Sequence, residues 1–150
     1  MTTQTTIDAA DAVVSLLNAA GLAEGITFAR TFVVEFDPDD LDSPKGSVFP
    51  ASIELGRATR TEDSEDHAIE VGVGRRLTGA DGESTDIETQ LATVEEVLGV
   101  LRAAANRKIS TPDDSTELLF FSAEARLFIP ELLRKRIALS VVRVVYRGFA

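Results

Sequence analysis

Residues 136–150 read RIALSVVRVVYRGFA, and after Arg136 the only charges in that stretch are Arg143 and Arg147. The apolar residues fall on both parities, Ile137, Leu139, Val141 and Val145 on one, and Ala138, Val142, Val144 and Tyr146 on the other. A strand with one wet face alternates apolar and polar residues, whereas a strand apolar on both faces is covered on both. The run is therefore expected to be a strand in the interior of a sheet.

Upstream of it, ELLFFSAEARLFI (117–129) is a second β-like run, and PELLRKR (130–136) joins the two as a short helical turn. Further back, Thr85-Asp86-Ile87-Glu88 has capping-box spacing, and Ile87, Leu91, Val94, Leu98 and Leu101 recur at helical intervals, which predicts a helix ending near Asn106. A first helix is predicted over residues 6–20, with Ala10, Val13, Val14 and Leu17 on one stripe and Gly21 as terminator. Between the helices, Ile26–Phe36 alternates with Phe32, Val34 and Phe36 on its buried face. Phe49–Leu55 and Ile69–Val73 then form a hairpin across the acidic stretch TEDSEDH. The order helix, three strands, helix, two strands makes a single α+β domain over residues 1–150. Its sheet is mainly antiparallel, of four to five strands, with two helices packed on it.

The totals agree with one core: 150 residues, 44% hydrophobic and 27% charged. Acidic residues outnumber basic ones by 25 to 15, giving a formal charge of -10 that disfavours general binding to phosphate backbones. With no cysteine there is neither a disulfide nor a thiolate metal site, which suits synthesis inside a cell. The first ten residues lack the pattern of a signal peptide, and no run approaches the ~20 apolar residues of a membrane span, so a soluble protein is expected.

Chemical motifs are sparse. His67 is the only histidine and lies in the acidic hairpin tip, where it reads as a solvated turn residue, so neither a transition-metal site nor a Ser-His-Asp arrangement has much to build on. Asp37, Asp39, Asp40 and Asp42 gather carboxylates in one loop, but Leu41 occupies the third ligand place of a calcium loop and the distal glutamate is missing. Gly72, Gly74 and Gly79 fail the dinucleotide fingerprint because Leu77 stands where its third glycine belongs; Gly72 and Gly74 read instead as a close backbone approach or a bulge. Adjacent carboxylates such as Glu95 and Glu96 diverge on a helix and mark no acid-base team. No catalytic, metal or cofactor residue is assigned. Basic residues cluster at Arg75 and Arg76 and again at Arg134, Lys135 and Arg136, and a positive patch meeting a negative one on another copy would fix its orientation.

Three stretches, AADAVVSLLNAAGL (9–22), DIETQLATVEEVLGVLRAAA (86–105) and the terminal RIALSVVRVVYRG, together with the element order, resemble the tail terminator, or tail-completion, proteins of long-tailed bacteriophages. The resemblance implies an architectural, non-enzymatic subunit assembled in the host cytoplasm into the virion. There it would form a homo-oligomeric ring, sixfold in that family, at the head-proximal end of the tail. Its partners would be further copies of itself, the tail tube protein and a head connector or head-closure protein. DNA would pass through without specific binding, no membrane would be involved, and no cofactor is implied. A closed ring needs a heterologous interface. Glu62, Asp63, Glu65 and Asp66 on one side and Arg134, Lys135 and Arg136 on the other are the candidate patches, with Asp37, Asp39, Asp40 and Asp42 as candidates for the bore. The competing expectations are a small hydrolase-like α+β enzyme, and a module that binds a peptide or small ligand on its open sheet.

Overall fold

The computed structural model describes residues 5–22, 25–32, 41, 43–57, 63–78, 83–110 and 117–149. In chain order the elements are α1 (Thr5–Ala20), β1 (Phe28–Arg30), β2 (Lys45–Arg57), β3 (Asp63–Arg76), α2 (Glu83–Arg102), a 3-10 turn (Ala104–Asn106), β4 (Lys108–Ser110), β5 (Glu117–Arg126), α3 (Pro130–Arg134) and β6 (Ile137–Phe149). The strands form one six-stranded sheet in the order β1-β2-β3-β6-β5-β4. All neighbours are antiparallel except β1, which runs parallel to β2.

The α+β class and the interior place of β6 agree with the sequence. The sheet has six strands because Lys108–Ser110, inside a stretch expected to be loop, pairs with Leu119, Leu118 and Glu117. A three-residue strand carries too few positions to show a period.

α1 and α2 cover one face of the sheet. On β6 that face is Ala138, Ser140, Val142, Val144 and Tyr146, all buried, and on β3 it is His67, Ile69, Val71, Val73 and Arg75. α1 contributes Ala9, Ala10, Val13 and Leu17, as its spacing predicts, and Gly21 ends it at φ 60°, a left-handed conformation that glycine adopts without a Cβ clash. The Asn18 side chain then donates to the Phe28 carbonyl at 3.0 Å and accepts from the Phe28 amide at 2.8 Å, pinning β1 beneath the end of the helix. Next to it the backbones come close: a Cβ on Gly46 would run into the Phe28 ring.

α2 is turned from its expected orientation. Its buried stripe is Gln90, Thr93, Val94, Val97 and Leu101, while Ile87, Leu91 and Leu98 are only half-buried. The reason is Arg75, buried under the helix, whose Nε donates to Gln90 Oε1 at 2.8 Å. Gln90 Nε2 in turn donates to the Val73 carbonyl at 2.8 Å and to Ser140 Oγ at 2.9 Å. A buried guanidinium requires partners, and the helix turns its amide and hydroxyl toward it. The helix also starts at Glu83, so Thr85 is not its cap; Asp86 instead accepts the Thr78 amide and hydroxyl, both at 2.9 Å, which holds its carboxyl below the ordinary carboxylate range.

The opposite face departs from the expectation of cover on both sides. α3 shields only the first turn of β6, where Ile137 and Leu139 are buried; beyond it Val141 and Val145 are half-buried and Arg143 is exposed. Gly72 and Gly74 sit in regular pairing between β2 and β6 and make no bulge. The irregularities are elsewhere, between Pro50 and Ser52 in β2 and between Phe120 and Ser122 in β5. Ser52 pairs with Ala68, Ala68 with Val145, and Val145 with Ser122, so both bulges fall at one level and crease the sheet there.

Candidate functional site

The open face is a floor of Phe49, Val141 and Val145 crossed by two rows of ion pairs. Arg147 meets Asp66 in a two-pronged bond, Nε to Oδ1 at 2.7 Å and Nη2 to Oδ2 at 2.9 Å, and its guanidinium lies 3.6 Å from the centroid of the Phe121 ring. That bond holds the Asp66 carboxyl below its ordinary value against the opposing effect of burial. Four residues along, Arg143 Nη1 is 3.6 Å from Glu70 Oε1, and its Nη2 donates to Ser52 Oγ at 3.1 Å. Two shallow grooves share Arg143. One, of about 300 Å³, lies between Phe49, Glu70, Glu124, Arg126 and Val141; the other, of about 210 Å³, lies between Glu54, Asp66, Phe121 and Val145. This is a surface of paired charges over apolar side chains, chemistry suited to holding another surface.

The acidic stretch is partly strand. Asp63 is exposed where β3 begins, but Glu65 and Asp66 lie within β3, paired with Leu55 and Glu54. Glu65 is buried, and Asp66 is committed to Arg147, so neither is a free charge at a turn. Glu62 and the loop residues Asp37, Asp39, Asp40 and Asp42 lie outside the described residues. Arg134, Lys135 and Arg136 are exposed in the turn from α3 into β6. Arg136 takes φ 64°, unusual for a side chain with a Cβ, and is held there by bonds from its amide to the Leu133 carbonyl and from the Leu77 amide to its own carbonyl. The β3–β6 ladder runs through 13 pairs, from Ser64–Phe149 to Arg76–Ile137. The acidic and basic groups therefore lie at its opposite ends, roughly 40 Å apart at ~3.3 Å per residue.

Two expectations are corrected outright. His67 is 1% exposed, within β3 on the covered face: Thr6 Oγ1 lies 2.7 Å from its Nδ1, and Glu65 Oε2 lies 3.3 Å from its Nε2. Its period-two spacing with Ile69, Val71 and Val73 was the available signal, masked by the charges around it. Hydroxyl, imidazole and carboxylate in that order match the logic of an activated nucleophile. Neither groove includes any of the three residues, however, and the contact ties the first turn of α1 to β3. Phe32, expected to be buried, is 66% exposed, with the Arg30 guanidinium 5.3 Å from its ring centroid.

Among the described residues no group of three His, Asp or Glu side chains is placed to hold a metal, and no helix is long and apolar enough to cross a membrane. No family model and no curated protein matches the chain. Among solved structures it is similar to a chain described as the virion of a native gene transfer agent particle, with 16% identity over 95% of this chain and 87% of that one, at a TM-score of 0.35.

Proposed function

We propose that this chain is a structural subunit of a phage-like virion. In this reading, copies associate side by side into a ring, sixfold by the family resemblance, at the head-proximal end of the tail tube. The ring ends tail growth and joins the tube to a head connector. The observation that carries the reading is the polarity of the long β3–β6 ladder. Exposed Asp63 stands at one end, and exposed Arg134, Lys135 and Arg136 stand at the other. Patches this far apart cannot meet within a subunit but can meet between neighbours, and unlike patches repeated head to tail make a ring where the rotation between neighbours closes. Glu62 belongs to the acidic patch in this proposal; Asp66 contributes less, because Arg147 already satisfies it.

The net charge of -10 supports the passage of DNA through such a ring without adhesion. Asp37, Asp39, Asp40 and Asp42 are proposed to face the bore; if particles with all four neutralised eject DNA at an unchanged rate and salt dependence, that assignment is wrong.

Native mass spectrometry of the purified chain tests the ring. Arg134→Glu with Lys135→Glu should shift the population from ring to monomer, and an unaltered ring mass would remove these residues from the interface. The groove beside Arg143 favours one second reading, a binding module. A chain that stays monomeric at high concentration and takes up a peptide saturably there would displace the ring.

A further inference from the structure

β2 and β5, the outer two of the four long strands, each have half their length bare of any partner among the described residues. β1 pairs with β2 only from Gly46 to Val48, with one more bond from the Thr31 amide to the Val48 carbonyl. β4 pairs with β5 only from Glu117 to Leu119, with one more from the Phe120 amide to the Arg107 carbonyl. No described strand lies beside Ala51–Gly56 of β2 or Phe121–Arg126 of β5. Unpaired edges recruit other strands unless lysine or proline blunts them. Residues 51–56 hold neither, and they expose Ile53 at 55% and Leu55 at 70%.

We infer that the bare half of β2 pairs antiparallel with the bare half of β5 on a second copy of this chain, with Glu54 opposite Arg126. The direction follows from the topology: β2, β3, β6 and β5 alternate in sense, so a copy rotated about a ring axis presents β5 antiparallel to β2. The register follows from charge and parity. Glu54 and Arg126 both line grooves of the open face, and pairing them places Ile53 opposite Leu127, itself 45% exposed, and Leu55 opposite Ala125. A slip of one residue sets Glu54 against a side chain of the other face. A slip of two toward the start of β5 sets it against Glu124, like charge on like charge.

The inference rests on the ring reading for the existence of a ring, and seats the contact on strand edges rather than on the charged ends of the β3–β6 ladder, which this register leaves apart. The chain has no cysteine, so Ile53→Cys with Leu127→Cys introduces the only thiols. Within one chain these positions are separated sideways by three strand spacings, roughly 14 Å at ~4.8 Å each, and lie farther apart still along the strands, too far for a disulfide. Oxidising the full-length double variant under assembling conditions should convert it into a ladder of covalent multimers with linked 53–127 peptides, and neither single variant should cross-link. A covalent dimer from Ile53→Cys alone would mean a two-fold pairing and overturn the inference. Rings seen by electron microscopy without the 53–127 bond would overturn the edge pairing and leave the ring reading intact; a chain that stays monomeric at every concentration would overturn both. Glu54→Arg and Arg126→Glu should each weaken the ring and together restore it. Both residues are exposed, and an unchanged melting temperature separates this loss from misfolding.

Discussion

The two faces of β6 make an instructive contrast. Ala138, Ser140, Val142, Val144 and Tyr146 lie under α1 and α2 at no more than 1% exposure, while Val141, Arg143, Val145 and Arg147 one position away face outward. By hydropathy the two sets differ by two arginines. Those two decide the matter, because a guanidinium beneath a helix needs a network such as Arg75 has, and Arg143 and Arg147 find their partners across the strand in Glu70 and Asp66. Packing holds the covered face; the open face is held by charge.

That contrast is broken or sharpened by stability measurements on single variants. Leu17→Ala empties a fully buried position under α1 and should cost about 3 kcal/mol in denaturant unfolding. A loss below about 1 kcal/mol would mean that the helix layer is loose. Gln90→Leu keeps the volume but strands the Arg75 Nε and the Val73 carbonyl; we expect a loss of roughly 2 kcal/mol. An unchanged midpoint would show that the buried guanidinium does not depend on the amide.

Tyr146→Phe should act with the opposite sign. The hydroxyl is buried without a partner among the described residues, and burial pushes the phenol well above its ordinary pKa. Its removal should therefore add about 1 kcal/mol, read as a higher melting temperature by roughly 2–4 °C. Asp66→Asn on the open face should cost less than about 1 kcal/mol, since both partners are partly solvated. Because Arg147 lowers the folded-state pKa of Asp66, the pair contributes fully above pH ~4, where the unfolded carboxyl is ionised, and is lost as pH falls through the lowered value. The difference between wild type and Asp66→Asn should close in acid; a gap persisting at pH ~2 would assign the effect to packing.

The sequence makes long, strongly patterned elements legible: β6 by its valines, α1 by its stripe, α3 by its proline start, and the β2–β3 hairpin by its alternation. It conceals elements whose reason lies elsewhere in the chain. The turned face of α2 depends on Arg75, which precedes Gln90 by 15 residues, and the burial of His67 depends on Thr6, 61 residues away. The candidate patches were partly visible as clusters of charge. Their positions at opposite ends of one ladder, and the capture of Asp66 by Arg147, follow from strand pairing that no local pattern records.

The helix-backed palm of the sheet runs on past the two bulges to His67 and Tyr146, and the outer end of β2 projects beside it as an unbacked finger that carries Ile53 and Leu55, with exposed Asp63 across the hairpin. Substitutions in the palm register in the melting curve of a solitary molecule. Those at the tip of the finger leave that curve flat and become visible only in company, so a thermal screen of isolated protein would pass over the residues on which assembly turns.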